Sequence, residues 1–167
     1  ILARLQHEAD ARGLPAVVMV FEPQPKEYFS RLLGKEMPQR LSPLRDKMRL
    51  ISKIHPHIKG VNVRRFNSEF AAIAAQSFID EVLIRQLNVK YLLIGDDFCF
   101  GSKRQGNFAL LKQQQAFVTE NTSSIMVENT RASSTVIREA LSRGDLDLAE
   151  RLLGHPYVLS GHVKHGA

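Results

Sequence analysis

Cysteine is nearly missing: Cys99 is the only one in 167 residues. No internal disulfide framework can form, and the count suits a reducing compartment, so a cytoplasmic protein is expected. No apolar run approaches the roughly 20 residues that a membrane helix requires, so no membrane partner is expected. No Cys/His cluster has zinc spacing, and His55-Pro56-His57 reads as a turn rather than a ligand pair. Gly-x-x-x-x-Gly-Lys, Gly-x-Ser-x-Gly and His-Glu-x-x-His are all absent, which leaves catalysis through an enzyme serine or cysteine unsupported. Aromatic residues do not interleave the cations, and no helix-turn-helix or RNA-binding pattern occurs, so nucleic acid is not an expected partner. There is no signal-peptide pattern and no internal repeat.

What remains is globular in composition, with 44% hydrophobic and 24% charged residues. The length suits one full domain and a little more. The net charge is +6 and is concentrated locally. Arg40, Arg45, Lys47, Arg49, Lys53, Lys59, Arg64 and Arg65 are opposed between them only by Asp46. Such a segment can steer anions such as nucleotides, or simply form a solvated helix face. Residues 1–9 already read as the middle of an amphipathic helix, so the sequence is expected to be a piece of a longer chain.

Helix and strand patterns alternate along it. Residues 1–12 predict a helix closed by Gly13 and Pro15. The β-branched run Ala16–Phe21 predicts a strand buried on both faces, ended by Glu22-Pro23-Gln24-Pro25. A loop follows, then a helix from Ser42-Pro43 to about Ile54. A strand over 61–66, a long helix over 68–87 and a second buried strand over 90–94 come next. A helix over 105–117, a strand over 124–127 and helices over 134–142 and 146–153 complete the pattern. The alternation predicts an α/β fold with a parallel sheet and helices on both faces. Tyr157–Val163 is β-like and is expected to begin another domain.

In parallel sheets ligands bind beyond the carboxyl ends of the strands. Two segments fall there: the Pro23/Pro25 loop with Phe29 behind it, and Gly95-Asp96-Asp97-Phe98-Cys99-Phe100-Gly101. The proline loop can wall a flat apolar ligand, or merely end a strand. The glycines of the second segment permit a tight loop and close backbone approach to a ligand, or a turn that tucks two phenyl rings into the core. A third segment, Ser133-Ser134-Thr135-Val136-Ile137-Arg138, opens a helix. Its free N–H groups, hydroxyls and guanidinium can grip a phosphate chain, or the serine can be an ordinary cap.

Taken in order, these segments resemble one family. The set is Phe21-Glu22-Pro23-Gln24-Pro25, Leu41-Ser42 with Lys47, Phe70 to Phe78, Gly95 to Gly101, Ser133 to Arg138, Leu153-Gly154-His155-Pro156-Tyr157 and Ser160 to Gly166. It is similar to the bacterial bifunctional riboflavin kinase/FAD synthetases. The resemblance implies a Rossmann-like nucleotidyltransferase that transfers AMP from ATP to FMN, giving FAD and pyrophosphate with Mg²⁺. A following β-barrel module phosphorylates riboflavin. On this chain it implies an adenylyltransferase domain over 1–155, and a linker with the first barrel strand over 156–167. ATP binding falls on Gly95, Ser133, Ser134, Thr135 and Arg138. Flavin binding falls on Pro23, Pro25, Phe29, Asp97 and Phe100, with Asp97 and Arg138 the catalytic pair and no metal ligand in this stretch. Gln24 stands where many members carry His.

The family's strand and Gly-x-Phe-Asp-Gly-Val-His-x-Gly-His loop are expected just before Ile1. A piece without them is expected to be inactive by itself. Two alternatives stay open: another nucleotidyltransferase of the same superfamily, and a non-catalytic nucleotide- or flavin-binding module.

Overall fold

The structure is a computed structural model that describes residues 1–123 and 125–161. It divides into two compact units, one of residues 1–38 and 51–123, the other, among the described residues, of residues 39–50 and 125–161.

The first unit begins with α1 (Leu2–Arg12), which ends in the left-handed Gly13 at φ 62°. Strand β1 (Ala16–Glu22) pairs in parallel with β2 (Ile58–Arg65), Val17 lying opposite Gly60 and Glu22 opposite Arg65. Strand β3 (Tyr91–Gly95) pairs in parallel with β4 (Val118–Thr122), from Tyr91 opposite Val118 to Gly95 opposite Thr122. The α/β class and the parallel pairing thus agree with the sequence pattern. Among the described residues β1 and β3 each have a single partner strand. Residues of both, with α1, line one largely apolar cavity of about 430 Å³.

Between β2 and β3 the single long helix expected over 68–87 is broken. It comprises α4 (Ser68–Ala72), α5 (Ala75–Ser77) and a π-helical stretch, Phe78–Gln86. Ile73 and Ala74 are extended, with ψ of 127° and 149°. The break has a tertiary cause that helical periodicity does not carry. Ile73 C=O leaves the helical ladder and accepts from Ser102 N–H at 2.7 Å. The π-helix supplies the core of this unit through Phe78, Ile79, Val82 and Leu83, packed with Ile94, Phe100, Leu111 and Phe117. A short α6 (Phe108–Lys112), capped by Asn107, stands where a longer helix was expected. The strand expected over 124–127 is two residues, Met126–Val127, while the polar run Val118–Thr122 makes β4.

In the second unit, β5 (Met126–Val127) and β6 (Thr130–Arg131) form a hairpin. Its turn residues Glu128 and Asn129 both have positive φ, as a primed turn requires. Two helices in contact follow, α7 (Ser134–Ser142) and α8 (Leu146–Leu153), whose buried residues are Ile137, Ala140, Ala149 and Leu152. Their bounds are those read from sequence, because each has a local cap: Ser133 and Asp145 accept from Val136 N–H and Leu148 N–H. Residues 157–161 have no strand hydrogen bonding, and the rest of the expected barrel strand, 162–163, lies outside the described residues. Helix α3 (Leu44–Ile54) runs across the chain boundary between the units.

Candidate functional site

The first unit holds a wide cavity of about 1010 Å³ at the carboxyl end of β1, the size of a small-molecule site. The turn after β1 contains a cis Glu22–Pro23 bond. It leads into α2 (Pro25–Leu32), a helix where a loop was expected. The helix starts because Pro25 presets the first turn and the buried Glu27 carboxylate accepts from Gln24 N–H at 3.1 Å. This places Phe29 at the mouth, with 44% of its surface exposed.

Behind it the phenyl rings form a continuous wall. Phe66 meets Tyr28, Phe70, Phe29 and Phe21 with ring centroids 5.4 to 5.9 Å apart, mostly edge-on. Phe70 continues to Phe78 at 6.0 Å, Phe78 to Phe100 at 5.2 Å, and Phe100 stacks on Phe98 at 5.7 Å and 19°. Such pairs favour a fixed arrangement beyond their burial. Phe66 and Phe70 were not among the expected flavin residues. Phe66 is the residue that follows β2, a strand end, so the rim rule was the available signal.

Of the sequence-expected flavin residues, Pro25, Phe29, Asp97 and Phe100 line this one cavity, and Pro23 is not among its lining residues. Asp97 is exposed, in the turn closed by Phe98 N–H donating to Gly95 C=O at 3.2 Å. Phe100 is buried at 8%, so its ring is both core and wall. Gly101 is required at its place. Its φ is 73°, and an added Cβ would lie 2.7 Å from the Ala75 backbone. The close approach it permits is to the protein's own chain. Gly95 instead lines the cavity beside β1 and β3.

In the second unit, Ser133 Oγ accepts from Val136 N–H at 3.3 Å, which is the cap reading. Ser134 and Thr135 remain exposed in a first turn that contains no acid. Arg138 donates from Nε to Gln39 C=O at 2.7 Å and from an Nη to Ser134 C=O at 3.1 Å. These bonds hold the guanidinium plane beside the helix start and leave further N–H groups for a ligand. Among the described residues no three His, Cys, Asp or Glu side chains come together to hold a metal ion. No helix is long and apolar enough to cross a membrane among them.

The described residues thus make an α/β protein with parallel strand pairs, an aromatic cavity at a strand end and, in the second unit, a hydroxyl-rich helix start. A family model described as FAD synthetase matches residues 1–136, and the chain belongs to that family. It is 47% identical over 169 residues to a bifunctional riboflavin kinase/FMN adenylyltransferase of Haemophilus influenzae, and 43% identical to that of Escherichia coli. The one from Pseudomonas fluorescens is 38% identical. Each alignment covers 99% of this chain but 53%, 52% and 52% of the relative, so the chain spans about half their length. A solved Streptococcus pneumoniae structure described as a macrolide-efflux protein superposes with a TM-score of 0.76 at 26% identity, covering 93% of this chain and 50% of that one.

Proposed function

We infer that the whole protein transfers AMP from ATP to FMN, giving FAD and pyrophosphate, and also phosphorylates riboflavin to FMN. The aromatic cavity of the first unit is the observation that carries this. In a chain of the FAD synthetase family, a cavity of about 1010 Å³ walled by phenyl rings suits a flat tricyclic ring. The nucleotidyltransferase architecture, a parallel sheet with helices on both faces, is part of the same reading. So is the division into an adenylyltransferase domain over 1–155 and the start of a kinase module over 156–167.

The reaction is an in-line displacement. An oxygen of the FMN phosphate attacks the α-phosphorus of ATP, a new P–O bond forms, and the bond to the bridging oxygen breaks with pyrophosphate leaving. Such chemistry needs positioning and charge neutralisation more than a protein nucleophile. Phe29 and Phe100 hold the ring, with Pro23 and Pro25 stiffening the turn beside it. Asp97 accepts hydrogen bonds at the rim. Ser133, Ser134 and Thr135 offer hydroxyls and free N–H groups to the ATP phosphates. Arg138 neutralises charge on the leaving pyrophosphate, and Gly95 keeps the end of β3 free of a side chain. Mg²⁺ belongs to this reading as the ion that accompanies ATP.

The test is FAD formation by the full-length protein from FMN, ATP and Mg²⁺. Arg138→Ala is expected to raise the KM for ATP about tenfold or more, with a smaller change in the KM for FMN. A well-folded full-length protein that makes no FAD overturns the reading. Turnover of another nucleotide acceptor would then favour a different nucleotidyltransferase.

A further inference from the structure

The cavity is chemically lopsided. Its wall is made of phenyl rings, whereas its rim bears Lys26, Lys35, Lys103 and Arg104 against Glu36 and Asp97. Lys103 and Arg104 are exposed, and among the described residues neither forms an ion pair or a side-chain hydrogen bond. Both leave from one turn, Ser102–Arg104. That turn is fastened at its base. Phe100 and Gly106 exchange backbone hydrogen bonds at 3.0 and 2.8 Å, and Ser102 N–H donates to Ile73 C=O at 2.7 Å.

Within the fastened turn Lys103 and Arg104 have φ of 53° and 57°. Residues with a Cβ adopt this left-handed region at an energetic cost, and two in succession are rare. A strained backbone held in place by its surroundings is a feature of ligand sites. Here it presents an ammonium and a guanidinium at the mouth of an apolar cavity, with no acid of the described protein paired to them. An anion on a flat apolar body is the ligand that satisfies both halves. Charge-assisted hydrogen bonds to phosphate oxygens are the strong kind.

We propose that Lys103 and Arg104 bind the phosphate of FMN while the phenyl wall holds its ring, so that this turn makes the cavity select the phosphorylated flavin. The proposal rests on the flavin reading given above.

The experiment uses the full-length protein and follows FAD formation. Three constants are measured: the KM for FMN, the KM for ATP, and the inhibition constant of lumiflavin, which has the ring but neither ribityl chain nor phosphate. The variant is Lys103→Asn with Arg104→Asn, because Asn tolerates positive φ and the turn keeps its shape. The KM for FMN is expected to rise about 10- to 100-fold. The lumiflavin constant and the KM for ATP stay where they were. The wild-type KM for FMN is expected to rise with salt more steeply than the variant's.

An unchanged KM for FMN overturns the proposal. So does a parallel rise in the lumiflavin constant, which would mean that the turn shapes the cavity. A rise confined to the KM for ATP overturns it too, since the turn would then serve the nucleotide phosphates. If lumiflavin does not compete with FMN in the wild-type protein, the flavin reading falls first and the proposal with it.

Discussion

At the scale of single residues, two glycines of one motif have different burdens. An Ala Cβ at Gly101 would meet the Ala75 Cα and N at 2.7 Å, on a backbone at φ 73° and ψ 169° that glycine alone adopts easily. At Gly95 the nearest atom is Asp97 Oδ1 at an ordinary 3.5 Å. Gly101→Ala is therefore expected to cost about 3 kcal/mol or more, and Gly95→Ala less than about 1 kcal/mol, as read from urea midpoints. Similar losses at the two positions would show that the Ala75 contact is not what requires Gly101. Tyr91 gives a pH prediction. Burial raises its phenol above the ordinary 10.0, helped by the Glu120 carboxylate and by Glu8, with Arg4 opposing. The Arg12 guanidinium also lies over its ring at 4.3 Å. A raised phenol favours the neutral form in the fold. The stabilisation is thus complete below pH 10 and is lost as the pH climbs through the higher folded value. Stability measured from pH 8 to 11 is expected to fall less steeply in Tyr91→Phe; identical slopes would remove Tyr91 as a cause. The residues legible in the sequence were those with local signals. Ser133 is a cap three residues from its donor, Val136. Phe66 had only its place after a strand end as a signal, because its ring partners Phe21 and Phe29 lie 45 and 37 positions away.

At the scale of elements, caps and pairing decide what periodicity does not. Helix α4 is five residues long and carries Phe70 into the phenyl wall. Too short to be stable by propensity, it depends on tertiary packing and on its cap. Asn67 Oδ1 accepts from Phe70 N–H at 2.9 Å. Asn67→Ala is expected to cost about 1 kcal/mol and Asn67→Ser much less. The same variant is expected to weaken flavin binding, since the capped N–H belongs to a wall residue. Unchanged urea midpoints for Asn67→Ala would show that packing alone holds α4. Strand β4 was illegible for the opposite reason. Val-Thr-Glu-Asn-Thr has little apolar content, yet Thr119 and Thr122 are buried. Their hydroxyls donate to Leu111 C=O at 3.2 Å and Ile94 C=O at 3.3 Å, which satisfies the polar groups inside. Helix α2 was hidden by the prolines at its start, Pro23 and Pro25, and its capping box closes through Glu27, a buried glutamate that sequence alone would place in solvent. The Ser42-Pro43 start of α3, by contrast, was read correctly to within a residue or two.

At the scale of the whole molecule, the open question is how the first unit closes its sheet. Its strands stand in two parallel pairs, β1 with β2 and β3 with β4. A strand with one partner leaves a row of N–H and C=O groups without ladder bonds. Parallel strands are normally covered and paired on both sides. Val17 on β1 is 47% exposed, and Asn62 Oδ1 is buried without a hydrogen-bond partner among the described residues. Val17 and Asn62 both line the apolar cavity of about 430 Å³ that β1 and β3 share. A strand inserted between β1 and β3 would supply both ladders and fill that cavity. The expected outcome is a melting temperature higher by about 5 °C or more for the full-length protein than for residues 1–167. Hydrogen exchange is expected to slow most at Val17, Val18, Leu92 and Leu93, which lie on the strands that would gain a neighbour. Equal melting temperatures with unchanged exchange at those four residues would mean that the cavity has another occupant and that β1 and β3 are true edges of the sheet.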